Sequence, residues 1–422
     1  MKRILSALLA LCLMVTLAFG TSAVAVTQTG APAASCNCIT LPFSGGTGTA
    51  EDPYQITTAD QMVELGKLVG SGKVNGFAGK TIRLMNNIDL AGKPWEPIGS
   101  MADMEKKSTL FQGTFDGGNH TIYHLDYETD NMFCGGGLFG VSCGNLKNLT
   151  LSDSTVKVTD KNGMANGGIV GYNMFGSVDN CHAKNVSVTG NNCTGCIAGG
   201  SGGPITNCTV KNGRVTVIND NDFSSGKLVQ IDVAECGGLI VGGAFGCNVE
   251  NCSAQGVITA TGKEPVGLGG IGGCLEMADR VSNCKVDVII NAPNGGHAIG
   301  GLCGYAGTHS NPNVAAAEGV VTHSYPSEFS NIDVKVVINA KDATHVGGLI
   351  GTGLYYYGEE TCFHVKVAKV VGAINGAVTP GTIFGRATGS SYDNVDAHVL
   401  INGLPGKDAI GTTSVLYESA DQ

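Results

Sequence analysis

Between residues 58 and 70 the apolar positions recur at helical intervals, with Met62, Leu65, Leu68 and Val69 on one face. Thr58 stands where an N-cap would, and Gln61 follows three residues later, the spacing of a capping box. Gly70 is placed to close this helix in a left-handed conformation. From Thr81 the pattern changes to short β-type runs such as "TIRLMNNIDL", "PWEPIGS" and "LFQGTFDGGNHTIYHLDY", with turn chemistry at Asp116-Gly117-Gly118-Asn119. One amphipathic helix ahead of an all-β chain is expected to cover an open end of the core.

From Gly136 onward a glycine-bracketed apolar pair is restated: "GGLFG" (136–140), "GGIVG" (167–171), "GCIAG" (195–199), "GGLIV" (237–241), "GGIGG" (269–273), "GGLCG" (300–304), "GGLIG" (347–351) and "GTIFG" (381–385). Successive copies begin 31, 28, 42, 32, 31, 47 and 34 residues apart, and the two long intervals hold insertions at 219–235 and 308–330. A period of this length, rich in glycine and β-branched residues, predicts a parallel β-helix in which each repeat makes one coil. The bracketing glycines are expected where the backbone turns sharply at φ values that cost other residues, with one member of each pair facing the core. Nine to eleven residues further on lies a column read as Leu149, Cys181, Cys208, Cys252, Cys284, Ile332, Cys362 and Val395, which selects small apolar volume.

Composition agrees with this picture. Of 422 residues 65 are glycine without a collagen period, and 42 % are hydrophobic, so the chain is folded and rich in turns. Only 6 % are aromatic, so the core is built from Val, Ile, Leu, Ala and Cys. The amino terminus carries Lys2 and Arg3, an apolar run from Leu5 to Phe19 and an Ala23-Val24-Ala25 cleavage site, the pattern of a secretory signal over residues 1–25. Its removal takes the net charge from −10 to −12. The balance argues against nucleic acid, and no later apolar stretch predicts membrane insertion of the mature chain. The expected layout is a signal peptide (1–25), a linker (26–45), a cap with the helix (46–80) and the coil (81–418).

"GTGTAEDPYQITTADQMVELGKLV", "FAGKTIRLMNNIDLAGKPWEPIGS", "FQGTFDGGNHTIYHL" and the "GGLFG/GGLIG" copies together resemble the GLUG-repeat proteins. These are exported, mainly bacterial surface proteins, and the repeat also occurs upstream of some immunoglobulin A-cleaving metallopeptidases. The resemblance runs over roughly 46–400 and implies a right-handed β-helix on or outside a bacterial cell. It carries no shared catalytic site.

Candidate chemistry is sparse. Of 16 cysteines, 15 follow the signal, and their place in the repeat column reads as core thiols acting as small hydrophobes. Cys193 and Cys196 have redox spacing without the βαβ context that motif requires, while Cys36 and Cys38 are linker candidates for a partner disulfide. No H-E-x-x-H occurs, and His120 and His124 on a strand would stand about 13 Å apart, too far for one ion. "GGHAIGG" (295–301) lies in register with "ATHVGGLIG" (343–351), which makes His297 a loop residue ahead of a repeat. Asp220 and Asp222 could bind Ca²⁺ or simply form a solvated loop. Tyr355, Tyr356 and Tyr357 are the candidate ligand-binding residues, because alternation must expose at least one ring; a clasp over a corner is the competing role. The expectation is a secreted or surface-held adhesin-like protein that binds a host or environmental glycan or protein, with no catalytic residue, metal or cofactor. A polysaccharide-degrading β-helix lyase or glycosidase is the alternative, and a purely structural envelope component a third.

Overall fold

A computed structural model describes residues 41–411 apart from 100–108, 132–133, 161–162, 219–235, 263–265, 277–279, 308–326, 354, 357–358, 361–362 and 388–389. The signal sequence, Cys36, Cys38, Asp220, Asp222, Tyr357 and Cys362 lie outside the described residues.

The chain is all-β and winds as a solenoid of parallel strands in three sheets. Each rung has a long strand, a short strand, a sharp reversal, a second short strand, and then the next long strand. Asn145–Val158, Ala165–Gly167, Val170–Asn173 and Val178–Gly190 make one such turn. Like strands of successive rungs pair in parallel and in register, for example Cys181 with Leu149 and Cys284 with Ile332. Long strands alternate inward and outward, and from Ile332 to Ala340 burial alternates at every residue. The inward residues form one continuous core from Ile56 to Val399.

The Ala59–Gly70 helix has its capping box, with the Thr58 hydroxyl accepting from the Gln61 amide and the Gln61 side chain accepting from the Thr58 amide. Met62, Leu65 and Val69 are buried in the same core as Ile56 and Ile82. Gly70 does not close the helix; it is its last residue, and the left-handed turn falls at Gly72, φ 70°. The stack begins ahead of this helix, since Tyr54–Ile56 pairs with Thr81–Leu84. The expected linker is already structured at its end: Ser44 hydrogen-bonds Gln55 through the backbone and Phe43 stacks on Tyr54 at 4.7 Å.

The repeated phrase differs from expectation in three ways. Register shows that the fourth copy begins at Gly238, because Gly238 pairs with Gly195 and Val241 with Ala198. Three apolar residues, Leu239, Ile240 and Val241, follow the adjacent Gly237 and Gly238, so sequence alone could not choose between the two glycines. Both members of each pair are buried, as Ile169 with Val170 and Leu349 with Ile350 show, because the reversal drives its whole tip into the core. Most importantly, the bracketing glycines from Gly167 to Gly385 do not hold positive φ; in this phrase Gly137, at 154°, is the exception. Their reason is close approach. A Cβ on Gly347 would stand 2.5 Å from the Gly385 amide nitrogen, and one on Gly351 2.6 Å from the Ala298 and Ile299 backbone. At these glycines the two short sheets are laid backbone against backbone, and only hydrogen fits there.

The left-handed positions belong instead to asparagine. Asn148, Asn180, Asn207, Asn251, Asn283 and Asn331 all have φ of 50–57° at the kink of the long strand, where Asn tolerates the conformation best among residues with a Cβ. Their amides form a ladder, with Asn180 donating to Asn148 at 2.9 Å, Asn283 to Asn251 at 2.9 Å and Asn331 to Asn283 at 2.7 Å. The next residue in each rung is the apolar column. Cys181, Cys208, Cys252 and Cys284 are buried there, each thiol donating to the carbonyl two residues earlier. Burying the larger members of the column, Leu149 and Ile332, contributes roughly 1.5–3 kcal/mol each. The column continues through Ile332, Ala368 and Val395. Cys362 is therefore not its member; a hairpin between 351 and 363 displaces the register by six residues.

Candidate binding surface

Tyr355 and Tyr356 form a two-residue strand that pairs antiparallel with Glu359 and Glu360, so these two tyrosines lie on one arm of a hairpin. The hairpin springs from the strand Ile350–Gly353 in one of the short sheets. The insertion at 219–235 and residues 308–326 lie outside the described residues, while 327–330 open the long strand Ser327–Ala340.

His297 is no loop residue. It opens the strand His297–Gly300 and pairs with Val266 and Thr344 in the neighbouring rungs. Its ring meets Tyr305 edge-on at 6.4 Å. His345, one register position further along the next rung, is 3 % exposed, holds φ 51° and has no partner for Nε2. Burial pushes both imidazoles down to about 4, helped at His345 by His297 and the Arg386 guanidinium. Both rings are thus neutral at physiological pH.

Eleven of the twelve described cysteines are buried. Cys193 and Cys196 point into different cores, Cys193 into a small second one between the short sheets and Cys196 into the main one. Their spacing therefore builds no dithiol. Burial pushes Cys134, Cys181 and Cys196 up to about 12, which makes them poor nucleophiles and metal ligands. Among the described residues no group of three or more His, Cys, Asp or Glu converges as a metal site requires. Likewise among the described residues, no helix is long and apolar enough to cross a membrane.

What the rungs do display is the outward face of the long sheet, where parallel register turns single side chains into rows at about 4.8 Å spacing. One row runs Lys157, Thr189, Thr216, Thr259, Asn291, Asn339 and Asn375. Its asparagines are linked, Asn339 donating to Asn291 at 3.0 Å and Asn375 to Asn339 at 2.9 Å. Such a row offers hydroxyl and amide groups at a fixed pitch on a rigid support. It was missed in the sequence because no single strand contains it; the recurring "VIINA", "VVINA" and "GAIN" endings were the available signal.

Residues 162–189 match the GLUG motif. The chain is 32 % identical over 141 residues to a "Putative Gly-rich membrane protein" of Evansella cellulosilytica, a match spanning 33 % of this chain and 15 % of that one. It is 26 % identical over 196 residues to halomucin of Haloquadratum walsbyi, covering 44 % of this chain and 2 % of that one. The chain thus spans only a small part of the length of both relatives. Among solved structures it is similar to a "putative immunoglobulin A1 protease from Bacteroides ovatus", at 17 % identity and a TM-score of 0.42, over 88 % of this chain and 84 % of that one.

Proposed function

We propose that this GLUG-motif chain is an exported, non-catalytic, adhesin-like scaffold at a bacterial cell surface, and that it binds a glycan or protein ligand through a face of its coil. The observation that carries this reading is the in-register row of hydroxyls and amides on the long sheet, with Thr189, Thr216 and Thr259 at its centre. A ligand with repeating polar groups would meet a repeating set of partners that need no reorganisation, and preorganisation limits the entropy lost on binding. The hairpin strand Tyr355–Tyr356 is a second contact point on the same reading. Likeness to a Gly-rich membrane protein and to halomucin supports the surface location. The Ala59–Gly70 helix, with Met62, Leu65 and Val69 turned inward, would close the first rung.

The test is a glycan and protein array probed with residues 26–422, followed by incubation with each bound polysaccharide and assay for new reducing ends and unsaturated products. Saturable binding without cleavage, weakened by Thr216→Lys or by Tyr355→Ala with Tyr356→Ala, is the expected result. Cleavage products would replace the scaffold by a polysaccharide-degrading enzyme.

A further inference from the structure

The outward face of the long sheet changes character along the stack. One row begins Thr155, Ser187 and Arg214, then turns apolar at Val257, Ile289, Val337, Ala373 and Leu400. Ile289, Val337 and Leu400 are 42 %, 36 % and 44 % exposed, and Val371 beside them is 40 % exposed. Four residues before this row, on the same four rungs, stand Lys285, Asp333, Lys369 and Asp396, in direct register and alternating in sign.

We propose that this face, over the last four long strands, binds a second copy of the chain with the two stacks running in opposite directions. A two-fold axis parallel to the strands keeps each row opposite itself and inverts the order of the rungs. Lys285 then meets Asp396 of the second copy, and Asp333 meets its Lys369. Each pair occurs twice, giving four opposite-charge contacts and no like-charge one. The apolar row is self-matching under the same operation, Ile289 against Leu400 and Val337 against Ala373. On the row between, Asp287, Lys335, Val371 and His398, the same operation sets Asp287 against His398 and Lys335 against Val371. The other face-to-face two-fold, along the stack and through the centre of the same patch, sets Lys285 against Asn291 and Asp287 against Ile289, and forms no opposite-charge contact. The charges therefore favour the first arrangement, in which the rows are complementary to themselves as an isologous interface requires.

Within one chain the alternation also serves neighbouring rungs, since Lys285 lies 3.5 Å from Asp333 and Lys335 lies 3.3 Å from Asp287. These pairs are exposed and weak. They explain the alternating signs but not the apolar row beside them, which earlier rungs lack. Four strands at about 4.8 Å and seven residues at about 3.3 Å make a patch roughly 20 Å square. Counted over both copies this is about 800 Å², below the standard size of specific interfaces and in the range of weak, transient ones, so the self-association is expected to be weak and reversible.

Sedimentation of residues 26–422, which hold every described element, tests this without any ligand, so its result is independent of the array. A reversible monomer–dimer equilibrium between about 1 and about 200 μM, weakened by salt, is expected. Val337→Glu, at an exposed position, abolishes it while leaving the melting profile intact. Lys369→Glu and Asp333→Lys each weaken self-association at least about tenfold. Mixed in equal amounts the two variants associate again. The glutamate introduced in the first then faces the lysine introduced in the second, while the first variant's own Asp333 faces the second variant's own Lys369. A chain monomeric throughout the range, a dimer indifferent to Val337→Glu, or a mixture no tighter than its parts overturns the proposal.

Discussion

The two sides of each rung are specified in different ways. On the long sheet, inward side chains make the core and outward ones vary freely; one register position holds Leu149, four cysteines, Ile332, Ala368 and Val395. On the other side, the short sheets touch through backbone at glycines such as Gly347 and Gly351, where a Cβ would collide with peptide groups of the adjoining rung. A side-chain core tolerates exchange of one small hydrophobe for another, whereas a backbone contact tolerates nothing larger than hydrogen. The chain keeps restating its glycines because they belong to the intolerant side.

The largest effect should therefore come from the smallest substitution on that side. Gly351→Ala sets a methyl group 2.6 Å from Ala298, Ile299 and Gly304 backbone atoms, none of which is the end of a flexible side chain. Overpacking of this kind costs about 3 kcal/mol or more. Denaturant unfolding should show it as a lower midpoint or as failure to fold. A loss below about 1 kcal/mol would mean that the sheets can separate, and the contrast between the two sides would fail.

Acid should find the same side first. In the unfolded chain His345 and His297 take up protons below about 6.5, but in the folded chain burial holds both down to about 4. Between these values the unfolded chain binds more protons, so stability rises with pH and is lost as pH falls from about 6.5 towards 4. For the buried His345 the loss is on the order of 2–3 kcal/mol. Unfolding midpoints at pH 7.5 and 5 measure it, and His345→Asn, which keeps a residue tolerant of φ 51°, should flatten the difference. An unchanged pH dependence in that variant would remove His345 as its source.

Much of this architecture was legible in the sequence. The helix cap at Thr58, the repeat from Gly136 and the burial of the cysteine column follow from periodicity and spacing alone. What escaped was everything that depends on the neighbouring rung. One strand does not reveal that Gly351 faces Ala298, that Gly238 rather than Gly237 aligns with Gly195, or that a hairpin moves the column from 362 to Ala368. The candidate surface divides the same way. Tyr355 and Tyr356 stood out as an aromatic run, but their antiparallel pairing with Glu359 and Glu360 did not. The threonine and asparagine row exists only once register is fixed.

The tolerant side predicts its own, smaller effect. Cys252→Val replaces a buried thiol by a group close in volume, at a position where other rungs carry Leu149 and Ile332. It loses weak bonds from sulfur to the Glu250 carbonyl at 3.3 Å and the Ile205 carbonyl at 3.8 Å. The cost should stay under about 1.5 kcal/mol. A loss as large as that of Gly351→Ala would show that the thiol is required for more than its volume.

The smallest effect should have the opposite sign. Gly70 is the last residue of the helix, is exposed, and has no atom within 4 Å of where a Cβ would stand. Its φ is not positive, so alanine fits without strain and restricts the unfolded chain. Gly70→Ala should stabilise the protein by about 0.5–1 kcal/mol, read as a raised unfolding midpoint. The same methyl group is thus expected to disrupt the fold at 351 and to strengthen it at 70. What separates the two positions is only the backbone of another rung, present at one and absent at the other. A destabilised Gly70→Ala variant would mean that glycine is needed for chain flexibility throughout, and that the close approach of the short sheets is not its cause.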